Sequence, residues 1–174
     1  MDHGFIETLA ASGPHPSLGA HAETYGRIIG SFTGEIHLHR AGKVAASASV
    51  EAHFAWVLEG RAVQDVWITP ARADRARSPG AGVHWYGSTL RVFEPALNAW
   101  NTVWTDPMSQ LRIELVGRRQ GDDIVQLGTR AGRPIRWTFS EITARSFTWR
   151  GHVLSFDGVT WELEVEMKFQ RVSA

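Results

Sequence analysis

The sequence predicts an all-β domain: a single up-and-down antiparallel β-barrel of about ten strands with a short N-terminal helical segment. Three observations carry this reading. From Thr33 onward apolar and polar residues alternate with period two, which sends successive side chains to opposite faces of a sheet. Turn signals at Gly42-Lys43, Gly60-Arg61, Gln120-Gly121, Ala131-Gly132 and Asp157-Gly158 cut that region into pieces of strand length. No piece leaves room for the crossover helices that a parallel sheet requires.

The elements follow in order. Phe5, Ile6 and Leu9 fit one helical face, which Gly13-Pro14-His15-Pro16 ends. Leu18, Ala22, Tyr25 and Ile29 recur at helical spacing, with Ser17 as N-cap and Gly30 as stop. Strands are expected near 33–40, 46–58, 62–69, 84–94, 99–106, 109–118, 122–130, 133–141, 145–154 and 159–171. The connection from Pro70 to Gly82 is long, basic and rich in Pro, Gly and Ala, so it is either a lid over a site or a disordered stretch. Residues 1–174 read as one domain, with 1–30 as the helical entry and 33–171 as the barrel.

Composition bounds the function. Basic and acidic side chains balance to a net charge of zero, and no basic stripe stands out, so nucleic acid is not expected as a partner. Without cysteine there are no disulfides and no thiolate metal sites. With no cationic start leading into a long apolar run, and no span of membrane-crossing length, the chain is expected to be cytoplasmic with no membrane partner. Eight tryptophans against two tyrosines suit a wide apolar wall, or simply a core built from indole.

Gly30-Ser31-Phe32, after a short helix and at the opening of the first strand, resembles the lipocalin Gly-x-Trp signature with Phe in the Trp place. Arg171, near the end of the last strand, matches the arginine that packs over that aromatic in calycins. The run Phe54 to Trp67 (FAWVLEGRAVQDVW) also looks like a set of uncharacterised bacterial calycin-like proteins. This resemblance to the calycin superfamily implies a lipocalin-like barrel and brings no agreed activity with it.

Hairpin parity assigns the inner face, because residues opposite one another in an antiparallel pair share a face. A tight turn near Gly60 groups Phe54, Trp56 and Leu58 with Asp65 and Trp67. A four-residue loop over 95–98 aligns Phe93 with Trp100, Arg91 with Thr102, and Thr89 with Trp104. The face continues through Leu111, Ile113, Leu115, Ile124, Gln126, Ile135, Trp137 and Phe139. Phe147, Trp149, Trp161, Leu163 and Val165 complete it by alternation. Arg112, Glu114, Arg136, Thr138, Glu162, Glu164, Glu166 and Lys168 are expected outside.

The chemistry follows from that list. A small, largely apolar ligand, aromatic or polycyclic, is expected among Phe54, Trp56, Trp67, Thr89, Phe93, Trp100, Thr102, Trp104, Gln126, Trp137 and Trp149. Asp65 and Arg91 would orient its polar end, or pair with each other and bind nothing. An enzyme of calycin type is the alternative: an isomerase, cyclase or lyase in which Asp65 or His37 moves a proton and Arg91 stabilises negative charge. A packed barrel that mediates assembly is a third reading, and outward Val66, Ile68, Leu90, Val92 and Val103 suit a homodimer contact. A tight turn at Gly42-Lys43 would set His37 and His39 opposite Ala48 and Ala46. With Asp65 or His53 as a third ligand they form a weak metal candidate, and neither a bound metal nor a cofactor is expected. Phosphate loops, nucleophile elbows and His-Glu-x-x-His motifs are absent from the sequence.

Overall fold

The computed structural model describes residues 3–75, 77 and 83–172. The chain opens with helix α1 (His3–Leu9), strand β1 (Ala10–Ala11), a 3-10 segment (Pro16–Ala22) and helix α2 (Glu23–Gly26). Strands follow as β2 (Gly30–Arg40), β3 (Lys43–Val57), β4 (Ala62–Thr69), β5 (Trp85–Glu94), β6 (Ala99–Asp106), β7 (Leu111–Gln120), β8 (Asp123–Arg130), β9 (Arg133–Ser140), β10 (Ser146–Leu154) and β11 (Trp161–Arg171). Each of these pairs antiparallel with its sequence neighbour, β11 pairs with β2, and β3 with β4, so β2 to β11 close a ten-stranded up-and-down barrel. No helix among the described residues is long and apolar enough to cross a membrane.

Up-and-down topology assigns the connections alternately to the two ends. The N-terminal segment, residues 58–61, 95–98, 121–122 and 141–145, and the C-terminus share one end. The turns at 41–42, 107–110, 131–132 and 155–160 share the other with the long 70–84 connection. That connection begins with helix α3 (Arg72–Arg75), tied back to β3 by Arg72 on Glu51 at 2.7 Å. The expectation of a lid or a disordered stretch falls largely on residues 76 and 78–82, outside the described residues.

The N-terminal segment closes its end of the barrel. β1 pairs with Trp56 and Val57 of β3, beyond the point where β2 begins opposite Phe54. His15 N donates to Gly60 O at 2.9 Å, holding the segment against the β3–β4 turn. The expected single helix from Ser17 to Gly30 does not form: Gly19 takes a left-handed φ of 50° and breaks it. His15 replaces Ser17 as N-cap; Leu18 and Tyr25 of the expected stripe are buried together with Thr24 and Ile28, and Ala22 and Ile29 pack partly buried against the core. Phe5 and Ile6 on α1 stay exposed.

Arg171 fastens this segment as the resemblance implies. Its guanidinium lies 4.5 Å from the Phe32 ring centroid and donates to Ile29 O (2.5 Å), Arg27 O (3.3 Å) and Ala144 O (2.7 Å). Gly30 adopts φ 129°, and a Cβ there would collide with Arg171 Nη1. The glycine, the aromatic ring and the distant arginine are thus one structural device.

Tyr25 projects from α2 into the core. Fully buried, it donates through its hydroxyl to Gln126 Oε1 at 3.3 Å and meets Trp100 edge-on at 5.2 Å. Its hydroxyl occupies space that a side chain at position 117 would fill, and Gly117 leaves it free. Burial pushes the phenol above its ordinary value, partly offset by the charge of Arg91.

Parity holds around most of the barrel. Phe54 pairs with Asp65, Arg91 with Thr102, Trp104 with Ile113, and Gln126 with Trp137. Leu58 departs from it: the β3–β4 loop spans four residues, and Leu58 sits exposed in it with φ 53°. Two bulges make larger changes. The turn falls at Ala41-Gly42 and not at Gly42-Lys43, which sets His39 opposite Val44, and Ala45 is an extra residue in β3 that sets His37 opposite Ser47, in place of the expected Ala46 and Ala48. Glu164 is the extra residue in β11, because Gly151 pairs with Val165 and His152 with Leu163. A bulge inverts the faces beyond it. Trp161 and Leu163 therefore join Arg136 and His152 on the outside, with the Arg136 guanidinium 4.6 Å from the Trp161 ring, and Glu164 turns inward. Outside, Val66, Leu90 and Val103 are half-buried and Val92 is exposed, whereas Ile68 is buried.

Two outcomes follow for stability. Gly30→Ala should cost at least about 2 kcal/mol in urea unfolding, since an L side chain avoids that φ and displaces Arg171; unchanged stability would contradict this. The folded protein holds the Tyr25 proton more tightly than the unfolded chain does. Its linked stability is complete below the unfolded value of about 10 and is lost as pH rises above it. Tyr25→Phe should cost about 1 kcal/mol at neutral pH and should lose less stability than wild type on moving to alkaline pH.

Candidate functional site

Midway along the barrel the interior changes character. Phe32, Phe54, Phe139, Phe147 and Phe169 fill the half nearest the N-terminal segment with ring contacts of 4.8 to 6.3 Å between centroids. Such offset and edge-on contacts pack densely. Above them lies a cavity of about 100 Å³ that opens to solvent at its mouth.

The cavity wall is largely indole: Trp67, Trp85, Trp104, Trp137 and Trp149, with Leu111, Ile113, Val165 and Met167 between them. Trp149 meets Trp67 at 5.7 Å and Trp137 at 5.4 Å, both edge-on. Glycines make the space for these rings. A Cβ at Gly87 would strike the far edge of Trp104, and one at Gly151 would come within 2.9 Å of Trp149.

At the floor, Arg91 and Asp65 form a buried ion pair. Arg91 Nη1 donates to Asp65 Oδ2 at 2.5 Å, and Thr89 N donates to Asp65 Oδ1 at 2.8 Å. The two residues are 2% and 1% exposed, so each charge depends on the other for compensation. The guanidinium carbon lies 4.8 Å from the Tyr25 ring centroid, and 5.9 and 5.8 Å from those of Phe54 and Phe139. Arg91 and Thr89 line the cavity; Asp65 lies behind them. Two buried donors of cavity-lining side chains, Arg91 Nε and Trp67 Nε1, have no hydrogen-bond partner among the described residues.

The mouth is polar. Arg130 ends β8 on the inward parity of Ile124 and Gln126, and it reaches past β9 and β10 to Glu164. Its Nη2 donates to both carboxylate oxygens, at 2.7 and 2.6 Å. The Glu164 bulge is what turns that carboxylate toward the lumen. Asp106, almost wholly buried, accepts from Met108 N at 3.0 Å and from the Ser109 hydroxyl.

The structure divides the residues singled out from sequence. Trp67, Thr89, Arg91, Trp104, Trp137 and Trp149 line the cavity. Phe54, Trp56, Phe93, Trp100, Thr102 and Gln126 also point inward, but into the closed half. There Phe93 stacks on His21 at 4.1 Å, Trp100 abuts Tyr25, and the Trp56 ring lies against Gly26. They were grouped with the wall because parity gives a face and not a height. His37 lies on the outer face, hydrogen-bonded to Ser47 Oγ at 2.8 Å and 3.5 Å from Glu35. The described residues hold no group of three or more His, Cys, Asp or Glu side chains suited to a metal, so His37, His39, His53 and Asp65 do not converge.

Trp85 and Arg130 were missed although alternation from Thr89 and Gln126 reaches both. Glu164 lines the cavity against the outward position that alternation predicts, and nothing in the local sequence marks its bulge. Tyr25 carried no signal beyond helical spacing.

No family model matches the sequence, and no curated protein matches it. Among solved structures, the chain is similar to Rv2717c from M. tuberculosis, with a TM-score of 0.60 at 13% identity over 92% of this chain and 99% of that one. It is also similar to the S-type phycobiliprotein lyase CPES from Guillardia theta, with a TM-score of 0.55 at 10% identity over 87% of this chain and 92% of that one. At such identities the likeness shows a common fold, a closed antiparallel β-barrel.

Proposed function

We propose that this barrel binds a small, largely apolar aromatic molecule in its tryptophan-lined half, above the Arg91–Asp65 pair. The observation that carries the reading is an open cavity walled by five indoles and floored by a charge-compensated ion pair. Indole faces supply apolar area and ring stacking without demanding any one substituent pattern. Asp65 acts here by fixing the Arg91 guanidinium, so that the arginine presents its remaining donors in one orientation.

The neutral fluorophore N-phenylnaphthylamine tests this reading. Its emission should rise on mixing, with energy transfer from the wall tryptophans. Val165→Trp fills the lumen and should weaken binding at least about tenfold, the effect of losing ~1.4 kcal/mol of contact. Leu127→Ser, on the outer face, should leave binding unchanged. Equal binding by wild type and Val165→Trp would contradict the proposal.

A further inference from the structure

We propose that the open end of the barrel docks on anionic lipid surfaces, with its turn tips entering the bilayer boundary. The large apolar side chains exposed there are Val44, Tyr86, Met108, Leu111, Phe156 and Val159, all on or beside the turns at the mouth end. Phe156 and Val159, in the β10–β11 turn, are 91% and 77% exposed, so almost all of their apolar surface stands in water. An arginine lies against the apolar tips on each side of the mouth. The Arg133 guanidinium is 4.4 Å from the Phe156 ring centroid; that of Arg75 is 5.5 Å from the Tyr86 ring, with Nη2 3.5 Å from Met108 Sδ. Both arginines are half-buried behind side chains more exposed than themselves. Such an order suits an interface in which apolar tips enter the acyl boundary and cations stop at the phosphates.

Charge separates this end from the other. Among the described residues of the open end, Arg40, Lys43, Arg75, Arg133 and Arg136 have no carboxylate partner. The carboxylates without a cation are Asp106, which is buried, Glu162, and Asp157, which accepts from Val159 N, Thr160 N and the Thr160 hydroxyl. The other charges there pair off: Arg72 with Glu51, Arg77 with Asp74, Arg112 with Glu114, and Arg130 with Glu164. The closed end also exposes Phe5, Ile6 and Leu97. Glu7 accompanies the first two on α1, and Glu94 and Arg118 flank the third, so no cation excess goes with them. Docking through turn tips needs no spanning helix, and it departs from the sequence expectation of no membrane partner. Its use rests on the binding reading above: with the mouth against a bilayer, an apolar ligand passes between lipid and indole wall without crossing water.

Co-sedimentation of ligand-free protein with vesicles tests docking apart from ligand binding. Vesicles of phosphatidylglycerol and phosphatidylcholine in equal parts should carry the protein down at low salt. Phosphatidylcholine alone should bind at least about tenfold more weakly, and added salt should release the protein. Phe156→Ser with Val159→Ser should weaken binding at least about tenfold, the effect of keeping one phenyl side chain in water. Arg40→Glu with Lys43→Glu, also at exposed positions where folding is preserved, should weaken it as much. Leu97→Ser, at the closed end, should change nothing. No sedimentation with the anionic vesicles overturns the proposal, as does full binding by the Phe156 and Val159 double variant or an equal loss from Leu97→Ser. A dimer that this double variant abolishes, without vesicle binding, assigns the rim to a second copy of the chain and overturns it too. Each of these failures leaves N-phenylnaphthylamine binding in solution, and with it the binding reading, untouched.

Discussion

The buried ion pair of Arg91 and Asp65 is the constraint on which the interior is arranged. A guanidinium and a carboxylate at 2% and 1% exposure are stable only together, and removal of either would strand a charge in a low-dielectric core. Their adjacency on β4 and β5 fixes that register, because Asp65 also accepts from the Thr89 backbone. Arg91 then needs neighbours that tolerate a cation, and the Tyr25, Phe54 and Phe139 rings supply them. The pair marks the level at which the barrel stops being packed and begins to be hollow.

The two halves differ for reasons that begin with chain entry. The N-terminal segment arrives at the end where β2 starts, and Tyr25, Leu18 and Ile28 fill it. Arg171 locks that arrangement by bonding to three carbonyls while covering Phe32. The opposite end receives only connections between strands, and its inward positions carry indoles spaced by Gly87 and Gly151. The polar mouth depends on one irregularity: the Glu164 bulge turns a carboxylate inward to meet Arg130.

Much of this was legible in the sequence because β structure has period two and hairpins propagate parity. Arg91 opposite Thr102, and Trp104 opposite Thr89, follow from the 95–98 loop alone. The Gly30, Phe32 and Arg171 device was readable as a resemblance and is present as a contact. Height along the barrel was not readable, since it depends on stagger between strands and on which end the N-terminal segment covers. Phe54 and Trp100 were thus grouped with the cavity although they pack beneath it. The bulges at Ala45 and Glu164 were also hidden, and they moved His37 away from its expected alanine partners and Trp161 to the outside.

The most direct test of the account is a crystal structure of the protein with N-phenylnaphthylamine bound. The account predicts the probe above Arg91, stacked among Trp67, Trp104, Trp137 and Trp149, with the closed half and Tyr25 unmoved. A probe lodged beneath the N-terminal segment among Trp56, Phe93 and Trp100, or on the outer face of the sheet, would contradict it.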